Sequence, residues 1–194
     1  MKVKEFLENF SAQSQRIAND IFEYIDFLSH KKRDYKNIRE EQIPLLAYIK
    51  CKKIPHDADM ELGGEAHDFD AKFIYSLGNV RVTQTVEIVQ ALPMGEHEVR
   101  LALVHGKMDV SMRLKEYEQL RSFPKPIIDA INKKHQKNYA DKRVLLVSVI
   151  GEHTYEDDAL IKSWIPEIRR NTFLGNFTEI FLAETARSVM FKIH

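Results

Sequence analysis

The chain has 194 residues, of which 44% are hydrophobic, so it is long enough to bury one sizeable core, and we expect a single domain over residues 1–194. Lysine plus arginine and aspartate plus glutamate number 29 each, and this zero net charge counts against nonspecific attraction to nucleic acid or to an anionic membrane. The lone cysteine, Cys51, excludes an internal disulfide, and no apolar run approaches the roughly 18 residues of a membrane span, so we expect a cytoplasmic protein without a membrane partner.

The first part of the chain has helical periodicity. Apolar residues recur at helical spacing over residues 3–28, which predicts a long amphipathic helix or a kinked pair. We interpret residues 1–33 as an N-terminal helical extension, and this extension is a candidate surface for a homodimer. A second helix is expected from Asp34 to about residue 49, with Pro44 in a first turn or at a kink.

The periodicity then changes to that of strands. Residues 59–64 form a short strand candidate, and residues 68–75 alternate polar and apolar side chains as a half-buried strand does. A tight turn over residues 76–79 leads into residues 80–91, which are rich in β-branched side chains. These segments predict an antiparallel meander of three strands.

The rest of the chain predicts a helical connection followed by further strands. Helices are expected at residues 96–105, 110–121, 127–137 and 155–170, and strands at residues 143–150, 177–183 and 188–193. The continuous apolar run at residues 143–150 is typical of a strand that is buried on both faces and has a parallel neighbour. The order of elements predicts an α/β fold, in which a mixed sheet is flanked by helices.

Acidic residues lie on neighbouring strands of the predicted meander. Alternation places Asp68, Asp70 and Lys72 on the polar face of the second strand and Glu87 on the polar face of the third. A two-residue turn at residues 77–78 puts Asp70 opposite Thr85, with Glu87 as its diagonal neighbour about 7 Å away at Cα. Two carboxylates at this spacing can share a divalent cation.

This arrangement resembles the PD-(D/E)XK, or restriction-endonuclease-like, nuclease superfamily over roughly residues 38–183. The resemblance rests on a helix before the meander, an Asp and a Glu on adjacent strands, and a strand-helix-strand unit after them. It implies metal-dependent phosphodiester hydrolysis, with Asp70 and Glu87 as ligands of Mg²⁺ or Mn²⁺. A carboxylate from the preceding helix, Glu40 or Glu41, completes the site in some members.

The sequence departs from the superfamily at one position. The resemblance implies a lysine two residues after the Glu, where this chain has Val89. Two replacements are open: Lys72 on the Asp70 face, and Gln90, since glutamine takes the role in some members. Alternation directs Gln90 toward the apolar face, so Lys72 is the favoured candidate.

Two other functions stay open at this point. The missing lysine and the zero net charge favour a catalytically inactive member of the fold that binds nucleic acid or a protein partner. An unrelated α/β interaction domain would instead leave the acidic face solvated. The basic clusters at residues 31–33, 50–53 and 133–137 are candidate phosphate contacts, although solvated helix ends account for them equally well.

Overall fold

The computed structural model describes residues 1–28, 32–64, 67–91, 123–149, 158–185 and 187–194. Over these residues the chain is an α/β fold with a six-stranded mixed sheet flanked by helices. The helical elements are α1 (Val3–Asn19), α2 (Ile21–Leu28), α3 (Arg33–Asn37), a π-helical turn (Ile38–Gln42), α4 (Ile43–Lys52), α5 (Pro124–His135) and α6 (Asp158–Asn171). The strands are β1 (Asp59–Leu62), β2 (Ala71–Leu77), β3 (Val80–Ala91), β4 (Arg143–Val149), β5 (Phe177–Glu184) and β6 (Val189–Lys192).

The strands lie in the sheet in chain order, from β1 to β6. The predicted meander is confirmed, because β1, β2 and β3 pair antiparallel. Strand β4 is parallel to both β3 and β5, and β6 returns antiparallel to β5. Every residue of β4 is buried, as its continuous apolar run predicts for a central strand covered on both faces.

Two apolar layers cover the sheet. Helices α5 and α6 pack on one face, where Phe123 stacks on Trp164 with ring centroids 4.8 Å apart. Helices α1 and α4 pack on the other face, where the ring of Tyr48 lies 5.9 Å from that of Phe73. Both layers use alternate residues of β3 and β4, so each of these strands contributes to two cores.

The N-terminal helices form the expected kinked pair. The break is at Asp20, whose Oδ1 accepts hydrogen bonds from the backbone N–H groups of Phe22 and Glu23 and so caps α2. The start of α1 is tied to the sheet, because the N–H of Val3 donates to the carbonyl of Ala58 at 3.0 Å. Val3 and Phe6 belong to the same core as the meander. None of the described helices is long and apolar enough to cross a bilayer.

The β2–β3 hairpin turns one residue later than expected. Leu77 pairs with Val80, so the two loop residues are Gly78 and Asn79. Gly78 has a φ of 59°, and a positive φ at the first loop position is what a type II′ turn requires. The predicted loop at residues 77–78 is wrong. It would place Gly78 at the second loop position, whereas the positive φ of Gly78 occurs at the first position of the observed loop.

This register changes how the acidic residues face each other. Lys72 pairs with Thr85 and Ala71 with Val86, whereas Asp70 lies just before β2 and donates its N–H to the carbonyl of Val86 at 3.1 Å. The predicted position of Asp70 opposite Thr85 is therefore wrong, because Lys72 takes that position. The alternation places Lys72 and Glu87 on one face of the sheet.

Several sequence predictions lie outside the described residues. They are the helices at residues 96–105 and 110–121, the start of the helix at 155–170, and the first residue of the basic cluster at 31–33. The predicted helix at residues 127–137 is confirmed as α5, although it begins earlier, with prolines in its first turn, and ends at His135.

Candidate functional site

A charged cleft opens at one end of the sheet, beside the start of β2. It has a volume of about 330 Å³ and is enclosed by three parts of the chain: α3 with the π-helical turn, the connection from β1 to β2, and the C-terminal end of α5. The described residues that line it are Arg33, Asn37, Glu41, Gly63, Gly64, His67, Asp68, Phe69, Asp70, Glu87, Lys134 and Lys137. Charged and polar side chains therefore dominate the described lining, and Phe69 adds an apolar surface.

The cleft brings together the three carboxylates that the sequence nominates as metal ligands. Glu87 comes from β3 and is only 4% exposed, while Asp70 immediately precedes β2. Glu41 comes from the π-helical turn, where the N–H of Ile43 donates to the carbonyl of Ile38. Such turns insert an extra residue into a helix and are frequent at functional sites.

Asp70 is held in place by its own backbone and side chain. Its N–H donates to the carbonyl of Val86 at 3.1 Å, and its carbonyl accepts from the N–H of Gly63 at 2.8 Å. Its Oδ2 accepts from the N–H of Ile88 at 2.6 Å. Burial raises the pKa of Asp70, the Ile88 hydrogen bond opposes that change, and the Glu87 carboxylate adds to it.

Glu41 interacts electrostatically with Asp70. Burial is the main cause that raises the pKa of Glu41, and the Asp70 carboxylate raises it further. Like charges in a partly dehydrated site repel each other, so each carboxylate disfavours ionisation of its neighbour. A cation bound between them would relieve this repulsion.

In contrast to Asp70 and Glu41, Glu87 is surrounded by basic side chains that neutralise its charge. Lys134 Nζ lies 2.5 Å from Glu87 Oε1, Lys137 Nζ lies 3.5 Å from the same oxygen, and Arg143 Nη1 lies 3.7 Å from Oε2. The hydroxyl of Tyr139 donates to Oε1 at 3.3 Å. Burial and the nearby Glu87 carboxylate raise the pKa of Tyr139, so this hydroxyl stays protonated.

Arg143 fastens the connection between β1 and β2 to the sheet. Its side chain is 1% exposed and donates to Asp68 at both the carbonyl oxygen, 2.5 Å away, and Oδ2, 3.1 Å away. It also donates to Asp141, and its guanidinium lies 4.2 Å from the centre of the Tyr139 ring. Arg143 was not among the predicted site residues, although a charged residue at the start of an otherwise apolar strand is a signal for a buried ion pair.

The two predicted replacements for the missing lysine lie elsewhere. Lys72 shares the sheet face of Asp70, but it pairs with Thr85 and Glu61 in the sheet and is not among the described residues that line the cleft. Gln90 shares a face of β3 with Val86 and Ile88, which belong to the apolar layer under α1 and α4. Because side chains alternate along a strand, Gln90 faces away from Glu87. This agrees with the direction that alternation predicts.

Lys134 occupies the place beside Glu87 that the sequence analysis assigned to another lysine. Its side chain is 14% exposed, whereas Val89 packs against the apolar layer under α5 and α6. The sequence contained only an indirect signal, the basic cluster at residues 133–137, because Lys134 lies on α5, 47 residues after Glu87 in the chain. Only the packing of α5 on β3 brings the two residues together.

The cleft contains carboxylates, the kind of group that binds a hard divalent cation, but those of the described residues do not stand at metal-binding spacing. Carboxylate oxygens are the ligands that Mg²⁺ prefers, and Asp70, Glu87 and Glu41 all supply them. Within the part of the chain that the structure describes, no three histidine, cysteine, aspartate or glutamate side chains stand at metal-binding spacing. The contacts of Glu87 with three cations account for its orientation toward Lys134 and Lys137.

Comparison with protein-family models, with curated proteins and with solved structures finds no match to this chain.

Proposed function

We propose that this chain is a metal-dependent phosphodiesterase that acts on nucleic acid through a restriction-endonuclease-like core. The observation that carries the proposal is the cleft itself. Asp70, Glu87 and Glu41 come from three separate parts of the chain, and all three line one cavity together with the half-buried Lys134. Residues from separate elements that converge on a polar cavity are typical of a catalytic site.

The order of elements supports the same proposal. A helical segment that carries Glu41 precedes the meander, and β3, α5 and β4 form a parallel crossover unit after it. The resemblance noted in the sequence implies this order over residues 38–183. It also implies an acidic residue at the start of the second strand and another on the third, which are Asp70 and Glu87.

The carboxylates would hold the metal ion. Asp70, Glu87 and Glu41 are the residues that would bind Mg²⁺ or Mn²⁺, which in such sites supplies Lewis-acid stabilisation of phosphate charge and activates water. The hydrogen bond from the Ile88 N–H to Oδ2 of Asp70 fixes the orientation of that carboxylate. Preorganised ligands avoid a reorganisation cost when the substrate arrives.

Lys134 would act as the supporting cation in place of the lysine that Val89 replaces. Its ammonium group lies within the cleft, where low exposure strengthens its interaction with negative charge. We assign it the stabilisation of charge that develops on the phosphate. Lys72 is the less favoured candidate for this role, because it is not among the described residues that line the cleft.

A catalytically inactive binding module is the second candidate. It is favoured by the contacts of Glu87 with Lys134, Lys137 and Arg143, which already neutralise this carboxylate without a metal ion. Such a protein would bind an anionic partner through Lys134 and Lys137 and cleave nothing. The two candidates differ in whether Asp70 is needed for binding a metal ion and for turnover.

The test combines metal binding with cleavage on one set of variants. Wild type, Asp70→Asn and Lys134→Met are titrated with Mg²⁺ and Mn²⁺ by calorimetry and then assayed on plasmid DNA and single-stranded oligonucleotides. We expect Asp70→Asn to abolish metal binding and cleavage, and Lys134→Met to lower the cleavage rate about 100-fold or more. Lys125→Met is the matched control, because Lys125 lies on the same helix and its side chain is 78% exposed.

The outcome distinguishes the two candidates. Cleavage that survives in Asp70→Asn would mean that the cleft is not the active site. No metal binding at millimolar concentrations, with retained binding of nucleic acid, would identify the inactive module.

A homodimer through the N-terminal helices is also proposed. Helix α2 exposes three large apolar side chains, of Ile21, Phe22 and Tyr24, and that of Phe22 is 77% exposed. Exposed apolar groups of this kind mark interaction surfaces when they are contiguous.

A further inference from the structure

We propose that the cleft receives one unpaired nucleotide, so that the substrate is single-stranded nucleic acid or a frayed end instead of an intact duplex. This inference rests on the proposed function and names the substrate class of the same site. Three features of the cleft carry it: its size, its aromatic wall and the number of its cations.

The size of the cleft limits what can reach Asp70 and Glu87. A volume of about 330 Å³ is at the lower end of small-molecule sites, which span about 300–1,000 Å³. It corresponds to about eleven water molecules at roughly 30 Å³ each. One nucleotide fits this space. A paired duplex is larger than this volume. Asp70 and Glu87 lie within the cleft, so only a nucleotide that is separated from its partner strand would reach them.

One wall of the cleft offers an aromatic surface. His67 and Phe69 lie next to each other with ring centroids 5.1 Å apart, and the side chain of His67 is 42% exposed. Both residues line the cleft beside Asp70. Bases stack on such rings whatever their identity, which is the usual way in which proteins hold unpaired nucleotides.

The described lining of the cleft carries fewer cations than a duplex footprint uses. Arg33, Lys134 and Lys137 are the lysine and arginine residues in the described lining. Proteins that grip duplex DNA make roughly 6–10 phosphate contacts, which this lining does not offer. The zero net charge of the whole chain agrees with a short contact in which stacking supplies part of the affinity.

The test is binding of labelled oligonucleotides by fluorescence anisotropy. Single-stranded DNA and RNA of about 12 nucleotides, within the range that single-strand sites cover, are compared with the matched blunt duplex in EDTA and in Mg²⁺. We expect the single strands to bind about 10-fold tighter than the duplex or better. Three phosphate contacts on a single strand give a slope of about −2 for log K against log salt.

Variants test the aromatic wall itself. His67→Ala and Phe69→Leu are expected to weaken single-strand binding by about 5- to 150-fold, which is the range of one stacked base. His56→Ala is the control, since His56 is exposed and is not part of the described lining. Thermal unfolding of each variant confirms that the protein is folded.

Each outcome bears on a different claim. Duplex binding as tight as single-strand binding, or wild-type affinity in both aromatic variants, would overturn the single-strand inference. The proposed function would survive that result if Asp70→Asn still abolished cleavage of the duplex. Absence of binding and cleavage for every nucleic acid would overturn the proposed function and the inference together.

Discussion

Gly63 is the residue that allows Asp70 to approach the end of β1. A Cβ atom at Gly63 would lie 1.7 Å from the carbonyl oxygen of Phe69 and 3.0 Å from the Cα of Asp70. Both are backbone atoms, so they cannot move aside as a flexible side chain would. At the adjacent Gly64, the nearest described atom to an added Cβ is a His67 ring nitrogen at 3.9 Å, which is an ordinary van der Waals distance.

The two glycines therefore give a matched pair of variants. We expect Gly63→Ala to lower the free energy of unfolding by about 1–3 kcal/mol, the usual cost of overpacking. It should also lower cleavage, because the Phe69–Asp70 backbone has to shift. Gly64→Ala should change stability by less than about 0.5 kcal/mol. Denaturant unfolding of both variants checks this, and equal effects would contradict the close approach.

The charge on Asp70 should cost stability at neutral pH. The folded state raises the pKa of Asp70 and of Glu41, chiefly through burial, so it binds these protons more tightly than the unfolded chain does. Their contribution to the free energy of unfolding is therefore fully present below the ordinary pKa of a carboxyl group. It is lost as the pH rises through the folded-state pKa.

Asp70→Asn is expected to raise the thermal midpoint at neutral pH in the absence of metal. Asparagine removes the charge and keeps an amide oxygen that can accept from the N–H of Ile88. The difference in thermal midpoint between Asp70→Asn and wild type should shrink as the pH is lowered, because the wild-type Asp70 carboxylate then becomes protonated. Calorimetric melting of both proteins across this pH range measures the difference. A gain that is independent of pH would point to a cause other than the carboxylate charge.

At the scale of elements, the contact between α5 and β3 builds the cleft. Lys134 and Glu87 lie on these two elements, and their side chains are 14% and 5% exposed. Removal of one partner leaves a buried charge with fewer contacts, although Lys137 and Arg143 remain near Glu87. The pair therefore couples the position of the helix to that of the strand.

A double-mutant cycle measures this coupling. We expect Lys134→Met to destabilise the protein by about 1–3 kcal/mol, and the further change Glu87→Met to recover part of the loss. The coupling energy should be at least about 1 kcal/mol, as for residues in direct contact. Lys125→Met, whose partner Asp129 is exposed, should have an effect within about 0.5 kcal/mol. Additive effects at Lys134 and Glu87 would refute the contact.

At the scale of the whole molecule, α2 carries the most exposed of the large apolar side chains among the described residues, that of Phe22 at 77%. Ile21 and Phe22 follow the cap at Asp20, and their side chains point to solvent. If the chain forms a homodimer through its N-terminal helices, Phe22→Glu should make it monomeric. Light scattering after gel filtration measures the mass of both proteins. A wild-type monomer at high concentration would rule out the dimer.

Over the described residues, the sequence predicted the order of elements correctly because periodicity is a local property. The alternation in residues 68–75 and 80–91, and the apolar run of β4, follow directly from which faces are buried. The same alternation predicts that Asp70 and Glu87 share one face of the sheet. These features depend on neighbouring residues alone, so they can be read without knowing what packs on them.

The tertiary structure decided which side chains complete the cleft. Lys134, Lys137 and Arg143 are far from Glu87 in the chain, and no periodic pattern connects them to it. Their positions follow from the packing of α5 on the sheet and from the place of β4 beside β3. The lysine that faces Glu87 was therefore misplaced in the sequence analysis. Local spacing determines the face of a strand, whereas contacts between distant elements depend on how the whole core packs.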